Sequence, residues 1–353
     1  MQSDRYDLLE LSGQPRSRGK KYGEARRNEI QHLIDYLYSL LKLEKREILN
    51  HVKKHTPFID YYSPEIAEEL QGIAEGAERE YEEIVMIAMH EEHAAVKSHG
   101  CTTFATAAEM SLDNRTYIGQ TWDIDKELCE NAGALMLKVR RENGPDFLSY
   151  AYSGMIAGAG INENGISLVW NSLPRLQINP GVSTYIIIEE ILRQKTIGGA
   201  LAAISRAERA GCFNFVLADE TEIYNIEATP DDIDISYSTD YIGHTNHFVA
   251  DKFKNKQNMN EMAGKTSASS IVRYNRINRL LAQKKGKLDW DGIVELMSDH
   301  VNYPHSICRH AGQIEEAEGP ILTCATFIMI PEKREFWIAG GPACENSFQK
   351  YSV

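Results

Sequence analysis

The chain has 353 residues, of which 42% are apolar and 25% charged. That mix belongs to a folded globular protein and excludes disordered, collagenous and mucin-like chains. Lys and Arg total 38 against 51 Asp and Glu, a formal net charge of −13, which argues against binding nucleic-acid phosphates or anionic lipid.

The length fits one large domain or two ordinary ones. No apolar run reaches the roughly 18 residues of a membrane span. The start, Met1 to Asp7, lacks a basic stretch followed by an apolar one, so no secretory signal is expected. The six cysteines, Cys101, Cys129, Cys212, Cys308, Cys324 and Cys344, are widely spaced, with no C-x-x-C. They read as no disulfide framework, and a reducing cytoplasm fits. The last residues, Tyr351-Ser352-Val353, are not a peroxisomal address.

Residues 1–54 carry 12 basic and 8 acidic groups, whereas residues 55–100 carry 2 basic and 11 acidic. Both stretches read as helical. Ile30, Leu33, Ile34, Leu37, Leu40 and Leu41 recur at three and four. A second helix is predicted from Pro64, after Ser63, to about Tyr81. A third carries Ile84, Val85, Ile87 and Ala88. The acidic cluster Glu75, Glu78, Glu80, Glu82 and Glu83 reads as a solvated face.

After Gly100 the pattern changes to strands. They are predicted at Cys101–Thr106, Tyr117–Asp125, Ala134–Arg140, Phe147–Ser153 and Gly165–Asn171, with a tight turn at Asn162-Glu-Asn-Gly165. Helices follow at Thr184–Lys195 and Gly199–Ala210. Strands return at Phe213–Ala218, Glu222–Ala228, Ile233–Tyr237 and Tyr241–Thr245. The stretch from Ala250 to Ala268 reads as a polar loop. Helices are predicted at Ser270–Gln283, with a serine as N-cap, and at Trp290–Asp299. Two last strands, Thr323–Ile330 and Glu335–Ala339, close the chain. Elements in blocks, not in strict alternation, favour stacked antiparallel sheets with helical layers.

Five short segments carry chemistry. Gly100-Cys101-Thr102-Thr103 stands where the composition changes, although a lone cysteine is usually a small buried residue. Gly119-Gln120-Thr121-Trp122-Asp123 ends a strand in a carboxylate. Thr245-Asn246-His247-Phe248 ends another. Ser269 to Arg276 opens a helix and includes Arg273. Asn302 to Arg309, with Ser306, lies in a late loop.

In order and content these segments resemble the acyl-coenzyme A:isopenicillin N acyltransferase family of the N-terminal-nucleophile (Ntn) hydrolases. The likeness starts at Leu9-Glu-Leu-Ser-Gly13, Arg18-Gly19 and Gly23-Glu24 and runs to Thr326-Phe327. It implies an α+β fold, a four-layer αββα sandwich. It also implies a precursor cut between Gly100 and Cys101, giving an N-terminal helical segment, 1–100, that stays with an Ntn core, 101–353, as one catalytic domain. Glycine at 100 lets the backbone take a strained conformation. The freed α-amine, with an ordinary pKa of about 7.7–8.0, can serve as base for the Cys101 thiol.

By the same resemblance, Asp123 orients the new ammonium, Asn246 points its amide at the oxyanion, and Arg309 places a charge near the thiol. Arg273 and Arg276 compete with Arg309 for that role. Ser306, Thr121, Trp122 and His247 are candidates for the substrate pocket. Relatives commonly carry asparagine where this chain has Thr121. The implied reaction is acyl transfer from a small N-acyl amide through a Cys101 thioester, with water as the favoured acceptor. An acyl-coenzyme A-dependent transferase and a non-catalytic binding protein on the same fold are the alternatives. A homo-oligomer is left open.

No glycine-rich stretch fits a dinucleotide fingerprint or a P-loop, so no cofactor is expected. His90-Glu91-Glu92-His93 is not HExxH, even with His99 nearby, and His300, His305 and His310 read as too scattered for a metal.

Overall fold

The computed structural model describes residues 6–41, 43–93, 100–174, 179–257, 265–311 and 320–353. The N-terminal part begins with strand β1 (Leu8–Ser12) and continues through α1 (Pro15–Ala25), α2 (Arg27–Leu41), α3 (Lys45–Val52), α4 (Thr56–Tyr62), α5 (Pro64–Ala77), α6 (Tyr81–Ala88) and α7 (His90–His93). Then come β2 (Gly100–Thr106), β3 (Tyr117–Asp125), α8 (Lys126–Asn131), β4 (Leu135–Arg140), β5 (Phe147–Ala151), β6 (Gly160–Asn162) and β7 (Ser167–Ser172). The remainder is α9 (Thr184–Leu192), α10 (Ile197–Arg206), β8 (Phe213–Ala218), β9 (Ile223–Ala228), β10 (Ile233–Ser238), β11 (Tyr241–His244), α11 (Lys265–Gln283), α12 (Trp290–Met297), β12 (Ile321–Ile330), β13 (Glu335–Ala339) and β14 (Gln349–Ser352).

The strands form two sheets. One has eight strands in the order β1-β4-β5-β6-β7-β8-β9-β10, the other six in the order β11-β2-β3-β12-β13-β14. The pair β1 and β4 is parallel; the other pairings are antiparallel. The sheets meet face to face through β2, β3 and β7. Gln120 Nε2 donates to the Trp170 carbonyl at 2.7 Å, and the Trp122 and Trp170 rings meet edge to face at 5.2 Å. On the outer face of the six-stranded sheet, Phe104 and Ile328 share a core with Ile277 and Leu281 of α11 and Ile293 and Leu296 of α12. Helices α6 and α9 share the main core with the eight-stranded sheet. The result is the αββα sandwich expected from the sequence.

Most elements lie where periodicity put them, and Tyr117–Asp125, Phe213–Ala218 and Glu335–Ala339 match end to end. The turn at Gly165 closes with its N–H on the Asn162 carbonyl at 2.9 Å and a φ of +84°, a conformation that favours glycine. Other expectations need correction. Strands β1 and β14 were not anticipated: each is short, β1 is held by the distant β4, and β14 is an edge strand paired only with β13. The helix from Pro64 stops at Ala77, because Glu78 turns left-handed. Glu83 does not lie on a solvated face. It is buried, with Tyr38 Oη at 3.0 Å and Lys45 Nζ at 2.8 Å.

Helix α11 starts at Lys265, so Ser269 and Ser270 lie inside it and neither caps it. Residues 251–257 of the expected loop form turns around the buried Phe253, and 258–264 lie outside the described residues. Cys129 and Cys324 are joined by a disulfide between α8 and β12, a pairing the wide spacing had not suggested. Among the described residues no helix is long and apolar enough to cross a membrane.

The glycines of the N-terminal motif serve packing. A Cβ on Gly19 would lie 2.0 Å from the Glu69 carbonyl oxygen, and one on Gly23 2.2 Å from that of Ile73. Gly72 and Gly76 of α5 meet α1 in the same way. Small residues four apart on both helices let the backbones touch. Beside them Arg18 Nε donates to Glu69 Oε1 at 2.8 Å, in a buried ion pair.

Candidate active site

Strand pairing builds the site. In the β2–β3 ladder Gly100 faces Asp123 and Cys101 faces Trp122. Cross-strand partners share a sheet face, so Cys101 sits with Trp122 and Gln120 on the face turned to the other sheet. Gly100, Thr102, Asp123 and Thr121 share the opposite face, under α11. The backbone nitrogen of residue 101 lies between these two settings.

That nitrogen donates its hydrogen to Oδ1 of Asn246 at 2.9 Å. Asn246 follows β11 and is fixed on every side: its N–H donates to Ser270 Oγ at 2.9 Å, and its Nδ2 donates to the Ser172 carbonyl at 3.2 Å. An amide nitrogen carries two hydrogens, so one stays available for a developing oxyanion.

Arg273, on α11, completes the arrangement. Its Nη1 donates to the Cys101 carbonyl at 2.6 Å and to Thr102 Oγ1 at 3.0 Å, and its Nη2 donates to Asn246 Oδ1 at 2.9 Å. Ser269 Oγ receives its Nε at 3.1 Å. Arg276, the other competitor, pairs with Asp299 at 2.6 Å and takes no part. The two lie about one turn apart on α11, and of them only Arg273 is fully buried.

Asp123 is fully buried. Its Oδ1 accepts from Thr323 Oγ1 at 2.7 Å. Its Oδ2 has no hydrogen-bond partner among the described residues and points at Gly100, 3.2 Å from where a Cβ there would stand. Arg309 Nη1 lies 3.1 Å from that same point. The Arg309 backbone N–H donates to Thr323 Oγ1 at 2.9 Å, so one hydroxyl joins the two charged residues. Arg309 Nε donates to the Ile321 carbonyl at 3.2 Å, and Nη2 meets His305 Nδ1 at 2.9 Å. Gly100 is ordinary strand backbone with no positive φ, so what a side chain there would meet is crowding by these two charged groups.

The electrostatics follow from burial. Loss of water pushes the Cys101 thiol up to about 12, and the charge on Asp123 pushes the same way. In the continuous chain it is a thiol, not a thiolate. Burial raises Asp123 to about 6, while Arg273 and Arg309 oppose the rise. Burial also draws Arg273 down to about 10.

The four pocket candidates each have partners of their own. Trp122 packs against Tyr150, Tyr152, Trp170 and Phe327. Thr121 Oγ1 accepts from the Thr102 N–H at 3.3 Å. His247 Nδ1 meets Ser270 Oγ at 2.8 Å, and Ser306 Oγ donates to the Cys308 carbonyl at 2.6 Å. All four are buried. A groove of about 900 Å³ is lined by Tyr62, Glu65, Arg141, Glu190 and Arg193, none of them a candidate. Gln120 and Thr323 were missed. Two-residue alternation from Trp122 points to Gln120; nothing local points to Thr323.

The histidine readings part company. His90 is buried, with Nδ1 2.8 Å from the Ile87 carbonyl and its ring stacked on Tyr185 at 5.1 Å. The His93 side chain and His99 lie outside the described residues. His300 and His310, judged too scattered, are brought together, with their Nε2 atoms 3.1 Å apart. His305 stays with Arg309.

Comparison with known proteins gives the family and the fold. The family model for acyl-coenzyme A:6-aminopenicillanic acid acyl-transferase matches residues 110–342. The chain is 27% identical over 308 residues to the 40 kDa form of acyl-coenzyme A:6-aminopenicillanic-acid-acyltransferase from Emericella nidulans, covering 84% of this chain and 83% of that one. A variant of conjugated bile acid hydrolase from Clostridium perfringens shares the fold, with a TM-score of 0.51 at 12% identity, covering 72% of this chain and 97% of that one. Penicillin V acylase from Agrobacterium tumefaciens is a more distant likeness, with a TM-score of 0.45 at 10% identity, covering 72% of this chain and 86% of that one. With a family match across most of its length and an Ntn-type αββα sandwich beneath it, the chain belongs to the acyl-coenzyme A:6-aminopenicillanic acid acyl-transferase family and is an enzyme of acyl-transfer chemistry at amide bonds.

Proposed function

We propose that the chain is a self-processing cysteine amidohydrolase whose nucleophile is Cys101 once it has become a chain terminus. The supporting observation is the setting of the residue 101 nitrogen: Asn246 Oδ1 accepts its hydrogen at 2.9 Å, and Asp123 Oδ2 lies beside Gly100 without a partner. A buried carboxylate oxygen of this kind is costly unless a cation arrives to pair with it. The ammonium released at residue 101 would be that cation.

In the precursor the Cys101 sulfur attacks the Gly100 carbonyl carbon. The C–N bond breaks, its nitrogen takes the thiol proton, and a thioester forms. Water then adds to the thioester, leaving a carboxylate on Gly100 and a free amine and thiol on Cys101. In the mature enzyme that amine takes the thiol proton. The thiolate attacks a substrate amide, and the second N–H of Asn246 Nδ2 donates to the oxyanion. The ammonium protonates the departing amine. Water resolves the acyl-enzyme to an acid; an amine acceptor would instead give acyl transfer.

Small N-acyl amides are the proposed substrates, because nothing in this set of residues is built for a coenzyme A nucleotide. A reducing setting keeps the Cys101 thiol available as nucleophile, and the cytoplasm is the setting proposed.

Denaturing electrophoresis with N-terminal sequencing tests the reading. The expected larger fragment begins at Cys101, and Cys101→Ala should give one uncut band without amidase activity. An active enzyme with the 100–101 bond intact would overturn it.

A further inference from the structure

A second cluster of reactive side chains lies on the loop that carries Arg309. His300, Cys308 and His310 come from the segment after α12, and Cys344 from the turn after β13. Their donor atoms all lie within 4.8 Å of one another. His300 Nε2 is 3.1 Å from His310 Nε2, and Cys308 Sγ is 3.5 Å from Cys344 Sγ. His310 Nε2 is 3.7 Å from the first sulfur and 3.4 Å from the second.

Those separations have a chemical meaning. Zinc binds thiolate at about 2.3 Å and imidazole at about 2.0–2.1 Å, tetrahedrally. The edges of such a tetrahedron are about 3.8 Å between sulfurs, about 3.3 Å between nitrogens and about 3.6 Å between unlike donors. Four of the six pairs fall within about 0.3 Å of their edges, and the two that join His300 to the sulfurs lie within 4.8 Å. A hydrogen bond accounts for one pair of imidazoles facing each other. It does not account for two imidazoles and two sulfurs converging on one point.

The surroundings agree. His310 Nδ1 faces Glu345 Oε1 at 3.4 Å. A carboxylate behind the far ring nitrogen fixes the tautomer and turns Nε2 to a metal.

We propose that His300, Cys308, His310 and Cys344 form a structural zinc site. All four positions come from the protein, which leaves none open for substrate. Two thiolates with two imidazoles suit zinc over the oxygen-seeking calcium and magnesium. The two thiol protons leave to solvent as the ion binds. The site ties the segment after α12 to the β13–β14 connection. Arg309 stands between two ligands, so the ion holds in place the residue whose guanidinium flanks Gly100 and Asp123. This assignment does not depend on whether the Gly100–Cys101 bond is cut.

The test uses the full chain, purified with a mild reductant and without chelator from zinc-supplemented culture. Elemental analysis is expected to give about one zinc per chain. Cobalt in its place should give the strong visible bands of a tetrahedral ion and a thiolate-to-cobalt charge-transfer band. Cys344→Ser and His300→Ala alter exposed positions; each should keep the wild-type circular dichroism and lose the stoichiometric metal. The assignment is overturned if wild-type protein takes up neither zinc nor cobalt, or if both folded variants retain the wild-type metal content. It also fails if cells lysed into alkylating agent yield a Cys308–Cys344 disulfide in the peptide map.

Discussion

Arg273 Nη1 donates to the carbonyl oxygen of Cys101 at 2.6 Å, while Nη2 of the same guanidinium donates to Oδ1 of Asn246 at 2.9 Å. One planar fork fixes both the peptide after the nucleophile and the amide that takes its N–H. Lysine carries the charge but cannot span both acceptors. Arg273→Lys should slow processing while the chain stays folded. Arg273→Ala takes the charged donor from the Cys101 carbonyl and Asn246 Oδ1 and should cost about 1.5–3 kcal/mol of stability. A time course of the uncut band measures the first, and urea unfolding in a Cys101→Ala background, where no cleavage intervenes, measures the second.

In the proposed mechanism Asn246 serves the precursor through its oxygen and the mature enzyme through its nitrogen. Asn246→Ala in processed protein should lower the acylation rate about a hundred- to a thousand-fold, the usual loss for one oxyanion donor. A pre-steady-state burst assay with a chromogenic N-acyl amide measures it. Unchanged acylation would remove Asn246 from that role.

Gly100→Ala places a methyl 3.1 Å from Arg309 Nη1 and 3.2 Å from Asp123 Oδ2. Displacing two buried charged groups from their partners should cost about 1–3 kcal/mol, as overpacking does. Processing is therefore expected to slow by about fivefold to about a hundredfold. A time course of the uncut band gives the rate.

Burial sets Asp123 near 6, which makes processing pH-dependent. In the proposed mechanism the carboxylate is the form that stabilises positive charge as the residue 101 nitrogen takes its proton and leaves, and its fraction rises with pH. About a tenth is ionised at pH 5 and about nine-tenths at pH 7. Processing should accelerate across that interval, and Asp123→Asn should be slow and flat. Stability runs the other way. Between pH 3.8 and about 6 the folded chain keeps a proton that the unfolded chain has released, so the uncut form loses stability as pH rises. Processing rates and urea midpoints at several pH values separate the two effects.

What could be read in advance follows the range of the forces. Strands such as Tyr117–Asp125 were legible because β-branched and aromatic content and the turn residues between runs are local signals. The helices after Pro64 and Trp290 were legible from another local signal, a period near 3.6. Strand β14 was not, since Gln349–Ser352 is a strand only by pairing with β13. Ser269 and Ser270 looked like caps because a serine before an apolar run usually is one; inside α11 they instead hold Arg273 and Asn246.

By itself the sequence determined the layered α+β architecture, the order of the motifs and the candidacy of Cys101, Asp123, Asn246 and Arg309. Tertiary structure alone decided that Arg273, not Arg276, grips the nucleophile's peptide, that Thr323 joins Asp123 to Arg309, and that His300, Cys308, His310 and Cys344 converge. The physical reason is distance along the chain. A hydrogen bond between residues 145 or 172 positions apart is set by how sheets and helices stack, and no local periodicity records it.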